Sequence, residues 1–195
     1  MNEFTIYANE YLSQDIQGYY HTNYLRYGNP GNPDYLNDLK NTFDNFSEEK
    51  LNNAINQLYN ILKNDLSQFN KSLTICVVPR SKAENTYSHN QLLFKKVIQA
   101  IIDELGFNDG SDYIIRHTDT KTTHLAHTEY GGNGDMPYPG ITQNTCNISN
   151  TVSGKNILLI DDIYTNNVNI DEDVIQTLLY SGAKSVIFYA VGKTV

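Results

Sequence analysis

The first sustained rhythm of apolar and polar positions begins after Ser47. Leu51, Ile55, Leu58, Leu62 and Leu66 recur at spacings of three and four, which lines one face of a helix, and Glu48 and Glu49 suit its positive N-terminal end. The pattern predicts an amphipathic helix over about 48–68. LTICVV (73–78) is a short β-rich apolar run stopped by Pro79, which reads as a buried strand feeding the polar loop PRSKAENTYSH. Leu93, Val97, Ile101 and Leu105 mark one face of a second helix, over about 90–105, with Gly106 as its C-terminal cap. YIIR (113–116) supplies another short strand, and residues 117–153, rich in Thr, Gly, Asn and His, read as a long irregular excursion. NILLI (156–160) is an apolar strand ending in two acids. A polar turn follows, then a helix over about 171–181 carrying Val174, Ile175, Leu178 and Leu179, a cap at Gly182, and a last strand SVIFYAV.

Strands alternating with helices predict an α/β fold with a mainly parallel sheet covered by helices on both faces. In such sheets ligands bind beyond the carboxyl ends of the strands. Two loops fall there, 79–88 and 161–170. Residues 1–46 are different: they hold seven of the fifteen tyrosines and the turn-rich YGNPGNPDY, with neither helical nor alternating periodicity. The chain is read as an N-terminal segment over 1–70 and an α/β core over 71–195.

Composition narrows the function. At 195 residues, 39% hydrophobic and 18% charged, the chain holds enough apolar material for one sizeable core. A net charge of −8 and a pI near 5.0 give phosphate backbones no general attraction, which argues against nucleic acid as the main ligand. A small anion is still accommodated where backbone N–H groups or a divalent cation offset the acidity locally. Two cysteines, Cys76 and Cys146, give no disulfide framework or four-cysteine metal site. The opening MNEFTIYANEYLSQD has no basic leader, and no apolar run approaches bilayer length, so a cytoplasmic, non-membrane protein is expected.

The chemistry gathers where NILLI ends. Asp161 and Asp162 emerge at the sheet rim, where adjacent carboxylates accept ribose hydroxyls or hold hydrated Mg²⁺. The turn Thr165-Asn166-Asn167-Val168-Asn169 offers short polar side chains and the unpaired N–H groups of a helix start, a setting that receives phosphate. The plainer reading is that an acidic, Asn-rich turn merely caps a helix.

Taken together, the stretches resemble type I phosphoribosyltransferases, and within them the ComF-like branch. VVPRSK is similar to the pyrophosphate loop after the first core strand, IIRHTDTKTTHL to the start of a loop in that branch, and GKNILLIDDIYT to the ribose-phosphate motif; SGAKSVIFYAVGKT is similar to the tail. The likeness covers about residues 73–195, in family order. It implies binding of phosphoribosyl pyrophosphate, or a related nucleotide, with Mg²⁺, and transfer of the phosphoribosyl group to a nitrogen acceptor. On this likeness Asp161 and Asp162 contact ribose and metal, Tyr164 to Asn169 surround the 5′-phosphate, and Arg80, Ser81 and Lys82 face pyrophosphate. The chain departs from the family in the turn, where Asn167 stands in place of glycine and no later hydroxyl follows. It departs again in residues 1–70, which lack the branch's four-cysteine zinc module.

Other motifs carry less. Tyr19, Tyr20, Tyr24 and Tyr27 are suited to stacking on a base, though packing accounts for them as well. The Tyr-rich segment fits either a hood over the acceptor or a homodimer contact. His117, His124, His127 and Cys146 share no recognised metal-ligand spacing. Lys121 reads as solvated, and GGNGD (131–135) lacks the strand and helix of a phosphate loop. Two alternatives to the enzyme remain: a non-catalytic sensor of a phosphoribosyl ligand or nucleotide, and a receiver-like phosphoacceptor, which lacks its separate aspartate after LTICVV.

Overall fold

The computed structural model describes residues 1–25, 29–121, 141–166 and 168–195. In chain order these form β1 (Asn2–Ile6), β2 (Ile16–Tyr24), α1 (Asp34–Lys40), α2 (Glu48–Leu66), β3 (Thr74–Val77), α3 (Leu93–Leu105), β4 (Asn108–Asp109), β5 (Ile114–Arg116), β6 (Cys146–Ile148), β7 (Asn156–Tyr164), α4 (Ile170–Tyr180) and β8 (Ser185–Thr194). Short 3₁₀ turns precede α3 and β7. Among the described residues no helix is long and apolar enough to cross a membrane.

The fold class expected from the sequence, α/β with a mostly parallel sheet, is what the chain adopts. Six strands lie in the order β1-β2-β8-β7-β3-β4, parallel throughout except where β1 pairs antiparallel with β2. Alternate residues of the central strands feed two cores. Ile75, Val77, Leu158, Ile160, Tyr189 and Val191 pack against the apolar faces of α2 and α3. Cys76, Ile157, Leu159, Phe188 and Ala190 pack against Val174, Ile175 and Leu178 of α4 on the other face. With both faces covered, the strands read as unbroken apolar runs.

The helix ends follow their local chemistry. The Ser47 side chain accepts the Lys50 N–H at the start of α2, and Gly106, in the left-handed conformation at φ 73°, returns its N–H to the Ile102 carbonyl at the end of α3.

Two parts differ from the sequence expectation. The segment 113–116 does not join the parallel sheet: β5 pairs antiparallel with β6 in a separate two-stranded ribbon, from Ile114↔Ile148 to Arg116↔Cys146. A short apolar run states that it is a strand without naming its partner. The N-terminal segment, whose residues 1–46 carried no readable pattern, adds two strands to the main sheet, with Gly18↔Phe188 to Tyr24↔Thr194 joining β2 in parallel to β8. Its helix α2 lines the same core as the central strands.

Sheet order positions the site. From β3 the chain crosses outward to β4, then returns past β3 to lay down β7 and β8 on its other side. The crevice at the carboxyl ends of β3 and β7 is therefore a topological switch point, where open α/β sheets take ligands. The register opens it: the ladder to β3 closes at Val77↔Ile160, whereas β7 continues along β8 to Tyr164↔Lys193.

Candidate functional site

A cavity of 1010 Å³ occupies that crevice. Its floor is the end of β3 and the loop beyond, including Val78, Pro79, Arg80 and Ser81; Asp161, Asp162, Thr165 and Val168 come from β7 and its turn, and Asp171 from α4. α1 and the loop after it form the opposite wall, with Leu36, Leu39, Phe43 and Phe46. The cavity thus has an acidic side, a side bearing Arg80 and Arg116, and an apolar wall donated by the N-terminal segment.

The acids lie within β7 itself, half-buried, with Asp161 opposite Ala190. The Asp161 Oδ1 accepts the Asp162 backbone N–H at 2.7 Å. Burial and the neighbouring Asp162 charge push the Asp161 carboxyl up to about 7, against a hydrogen bond from Asp171 and the charge of Lys40. Asp171 is 4% exposed, and its carboxyl is held well above the usual carboxylate range by burial first and by Asp161 second. Its Oδ1 receives no hydrogen bond. Lys40, at the end of α1, sets its Nζ 3.1 Å from Asp162 Oδ2. Burial pulls the Lys40 ammonium downward, but the Asp162 and Asp161 charges outweigh it and the net shift is upward.

The loop after β3 is clamped rather than open. Arg80 donates to the Gln91 carbonyl and lies over the Tyr87 ring at 4.4 Å. Arg116 Nε donates to the Arg80 carbonyl at 2.6 Å, and the Thr120 N–H and hydroxyl both donate to the Ser81 carbonyl. The Ala83 N–H donates to Asp119. Lys82 turns away from the cavity, its Nζ donating to the Thr120 carbonyl at 3.2 Å.

The turn after β7 divides likewise. Thr165 shares a 2.9 Å hydrogen bond with Thr194 and accepts the Val168 N–H at its carbonyl. Asn169 precedes α4 in the left-handed conformation at φ 61°, and its side chain accepts from Asn9 at 3.1 Å. Asn166 sits in the turn itself. Tyr164, grouped with the phosphate-surrounding residues by resemblance, is 4% exposed and faces the other core, ringed by Phe4 and Phe188 with its hydroxyl donating to Glu172 at 2.9 Å. Ile163 packs with the α2–α3 core and lines the cavity while Tyr164 joins the α4 core, the reverse of the parity that Ile157 to Ile160 follow, so the alternation of β7 does not carry through Asp161 and Asp162.

Of the N-terminal tyrosines, Tyr24 reaches the cavity and donates to Asn37 at 2.7 Å, while Tyr19 packs on Phe69 and Tyr20 on Phe4. Tyr27, His124, His127, residues 131–135 and Asn167 lie outside the described residues. His117 contacts Thr118, and Cys146 is buried, its thiol pushed up chiefly by burial.

Sequence reasoning missed Arg116, Lys40 and Asp171. Arg116 carried a signal, since it ends an apolar run as the two acids do. Lys40 carried none, because a seven-residue helix after a turn-rich stretch has no readable face.

The donor set suits a hard divalent cation. Carboxylate oxygens are what Mg²⁺ and Ca²⁺ choose, and Asp171 Oδ1, without a hydrogen-bond partner beside the crowded Asp161 and Asp162, is an oxygen acceptor open to a cation. Among the described residues no His, Cys, Asp or Glu group of three or more makes a ready metal cage. Mg²⁺ in particular is held by one or two carboxylates, with water and ligand phosphates completing its octahedron.

Fold and site together define an α/β protein with a mostly parallel sheet and a cavity at its topological switch point. No protein-family model matches the chain, and no curated protein matches it.

Proposed function

We propose that the chain is a phosphoribosyltransferase-like protein that binds phosphoribosyl pyrophosphate and transfers the phosphoribosyl group to a nitrogen acceptor. The observation that carries this reading is the meeting, in one switch-point cavity, of the paired acids Asp161 and Asp162 with Arg80 from the loop after β3. In the reaction the bond from ribose C1 to pyrophosphate breaks, pyrophosphate leaves with the electron pair, and a C1–N bond forms. Asp161 and Asp162 accept the ribose hydroxyls and stabilise the positive charge that grows on the ring. Arg80 and Arg116 face the departing pyrophosphate, which needs fixed donors and cations more than covalent help. The 5′-phosphate takes the turn of Thr165, Asn166 and Val168 at the start of α4.

Mg²⁺, when bound, is held at Asp161 and Asp162 and offsets the charge of the pyrophosphate oxygens. The apolar wall with Phe43 and Phe46 receives the acceptor. We assign the activity to the cytoplasm on composition alone.

A second reading, a sensor that binds the ligand without turnover, is favoured by the phosphate turn. There Asn169 stands where the family has a hydroxyl, and its side chain is engaged by Asn9. Calorimetry with phosphoribosyl pyrophosphate and Mg²⁺, followed by a pyrophosphate-release assay over nucleobases and amines, tests both. Binding with release supports the transferase, binding alone supports the sensor, and no binding overturns both.

A further inference from the structure

We propose that Lys40 is the resident counter-ion of the acid cluster and competes with divalent cations for Asp162, so that α1 regulates metal entry to the site. The inference rests on the reading of Asp161 and Asp162 as the metal-holding acids.

Lys40 belongs to the N-terminal segment, yet its Nζ lies 3.1 Å from Asp162 Oδ2, with both side chains largely sheltered at 27% and 22% exposure. Its position is built. The helix ends in the left-handed Asn41 at φ 37°, whose N–H returns to the Asn37 carbonyl. Gln91, at the start of the α3 unit, donates to the carbonyls of Asn41 and Thr42 at 3.2 and 3.1 Å, and pins the end of α1 beside the cavity. Other cations nearby are committed elsewhere: Lys95 to Glu84 and Asp112, each at 2.7 Å, and Lys82 to Thr120.

One ammonium does not satisfy the cluster. Asp171, 96% buried by its 4% exposure, lines the same cavity and presents an Oδ1 with no hydrogen-bond partner. The carboxylates therefore have acceptor capacity beyond what Lys40 takes up, and that capacity suits a more highly charged oxygen-seeking ion. Such an ion and the Lys40 ammonium draw on the same Asp162 carboxylate. Lysine is a compact point charge on a flexible stem, able to leave a carboxylate without a change of backbone.

The test is a Mn²⁺ titration of the full chain, followed by water-proton relaxation, on wild type, Lys40→Met, Lys40→Arg, and Lys40→Met combined with Asp161→Asn and Asp162→Asn. Lys40→Met should bind Mn²⁺ about tenfold more tightly than wild type, the scale of one lost ion pair. Lys40→Arg, which keeps the charge and serves as a folding control, should stay near wild type, and the two Asn substitutions should remove the gain. Unchanged or weaker Mn²⁺ binding in Lys40→Met overturns the proposal, as does a gain that survives the Asn substitutions. If the Asn substitutions abolish Mn²⁺ binding while Lys40→Met leaves it unaltered, the competition fails and the metal-holding acids stand. If no variant binds Mn²⁺, both fall.

Discussion

Asp161 is where individual residues are under most tension. Its carboxyl is half-buried, beside Asp162 and facing Asp171, so the charged form is disfavoured. An Asn there keeps the oxygen that accepts the Asp162 N–H and removes the charge. Asp161→Asn is expected to raise stability by about 1 kcal/mol at pH 8, read as a higher urea midpoint, while abolishing ligand binding. A lower midpoint contradicts the picture of crowded acids. Asp65 is the reverse case. It is 1% exposed and accepts from Tyr189 and His21, each at 2.9 Å. Burial pushes its carboxyl upward, but those hydrogen bonds outweigh it and the net value is depressed below 3.8. A depressed folded value means that the contribution is full above the ordinary carboxylate value and lost as pH falls through the depressed one. Asp65→Asn should therefore cost about 2 kcal/mol at pH 7, with the difference from wild type narrowing below about pH 4 in acid melts. An equal gap at pH 7 and pH 3 contradicts this assignment. The strand-end acids were legible because two carboxylates closing an apolar run stand at the sheet rim, although helix capping was the plainer reading of the same stretch. Asp171 was not, since an acid in the first turn of a helix reads as a dipole partner. Only its burial, 4% exposed, separates the two roles.

Among elements, legibility followed burial. β3, β7 and α2 to α4 were readable because continuous or periodic apolar positions leave a strong signature. β1 and β2 were not: IQGYYHTNY mixes half-buried tyrosines with polar residues, because α2 and its neighbours cover one face while the Phe4 ring and solvent share the other. Gly18 shows how tightly this corner is fitted. It pairs with Phe4, and a Cβ at position 18 falls 2.5 Å from that ring, which is held by Tyr164 and Phe188. Gly18→Ala is expected to cost about 1–3 kcal/mol by overpacking, measured by thermal or urea unfolding. A neutral effect shows that β1 peels away easily. The β5–β6 ribbon was half legible: the strand could be read, but its antiparallel partner lies past a long irregular stretch that carries no pairing signal. β7 runs four residues past the apolar run NILLI, because its ladder to β8 continues where that to β3 has ended.

For the whole molecule, the order β4-β3-β7-β8 fixes the cavity more firmly than any single side chain. Two loops distant in sequence become the two lips of one crevice, and the N-terminal segment, through α1 and the loop after it, supplies the third wall. That the loop after β3 and the turn after β7 lie at the strand ends follows from alternation of strands and helices, and was readable; the expected loop 161–170 is shorter, since Asp161 to Tyr164 belong to β7 and α4 begins at Ile170. That α1 brings Lys40 to Asp162 depends on tertiary packing, and was not. The most direct measurement of the central claim is isothermal calorimetry with phosphoribosyl pyrophosphate and Mg²⁺, on wild type and on the Asp161→Asn, Asp162→Asn double variant. Saturable binding to wild type, lost in a double variant that keeps its circular dichroism spectrum, is the expected result; equal affinity in the two, or no binding to wild type, contradicts it.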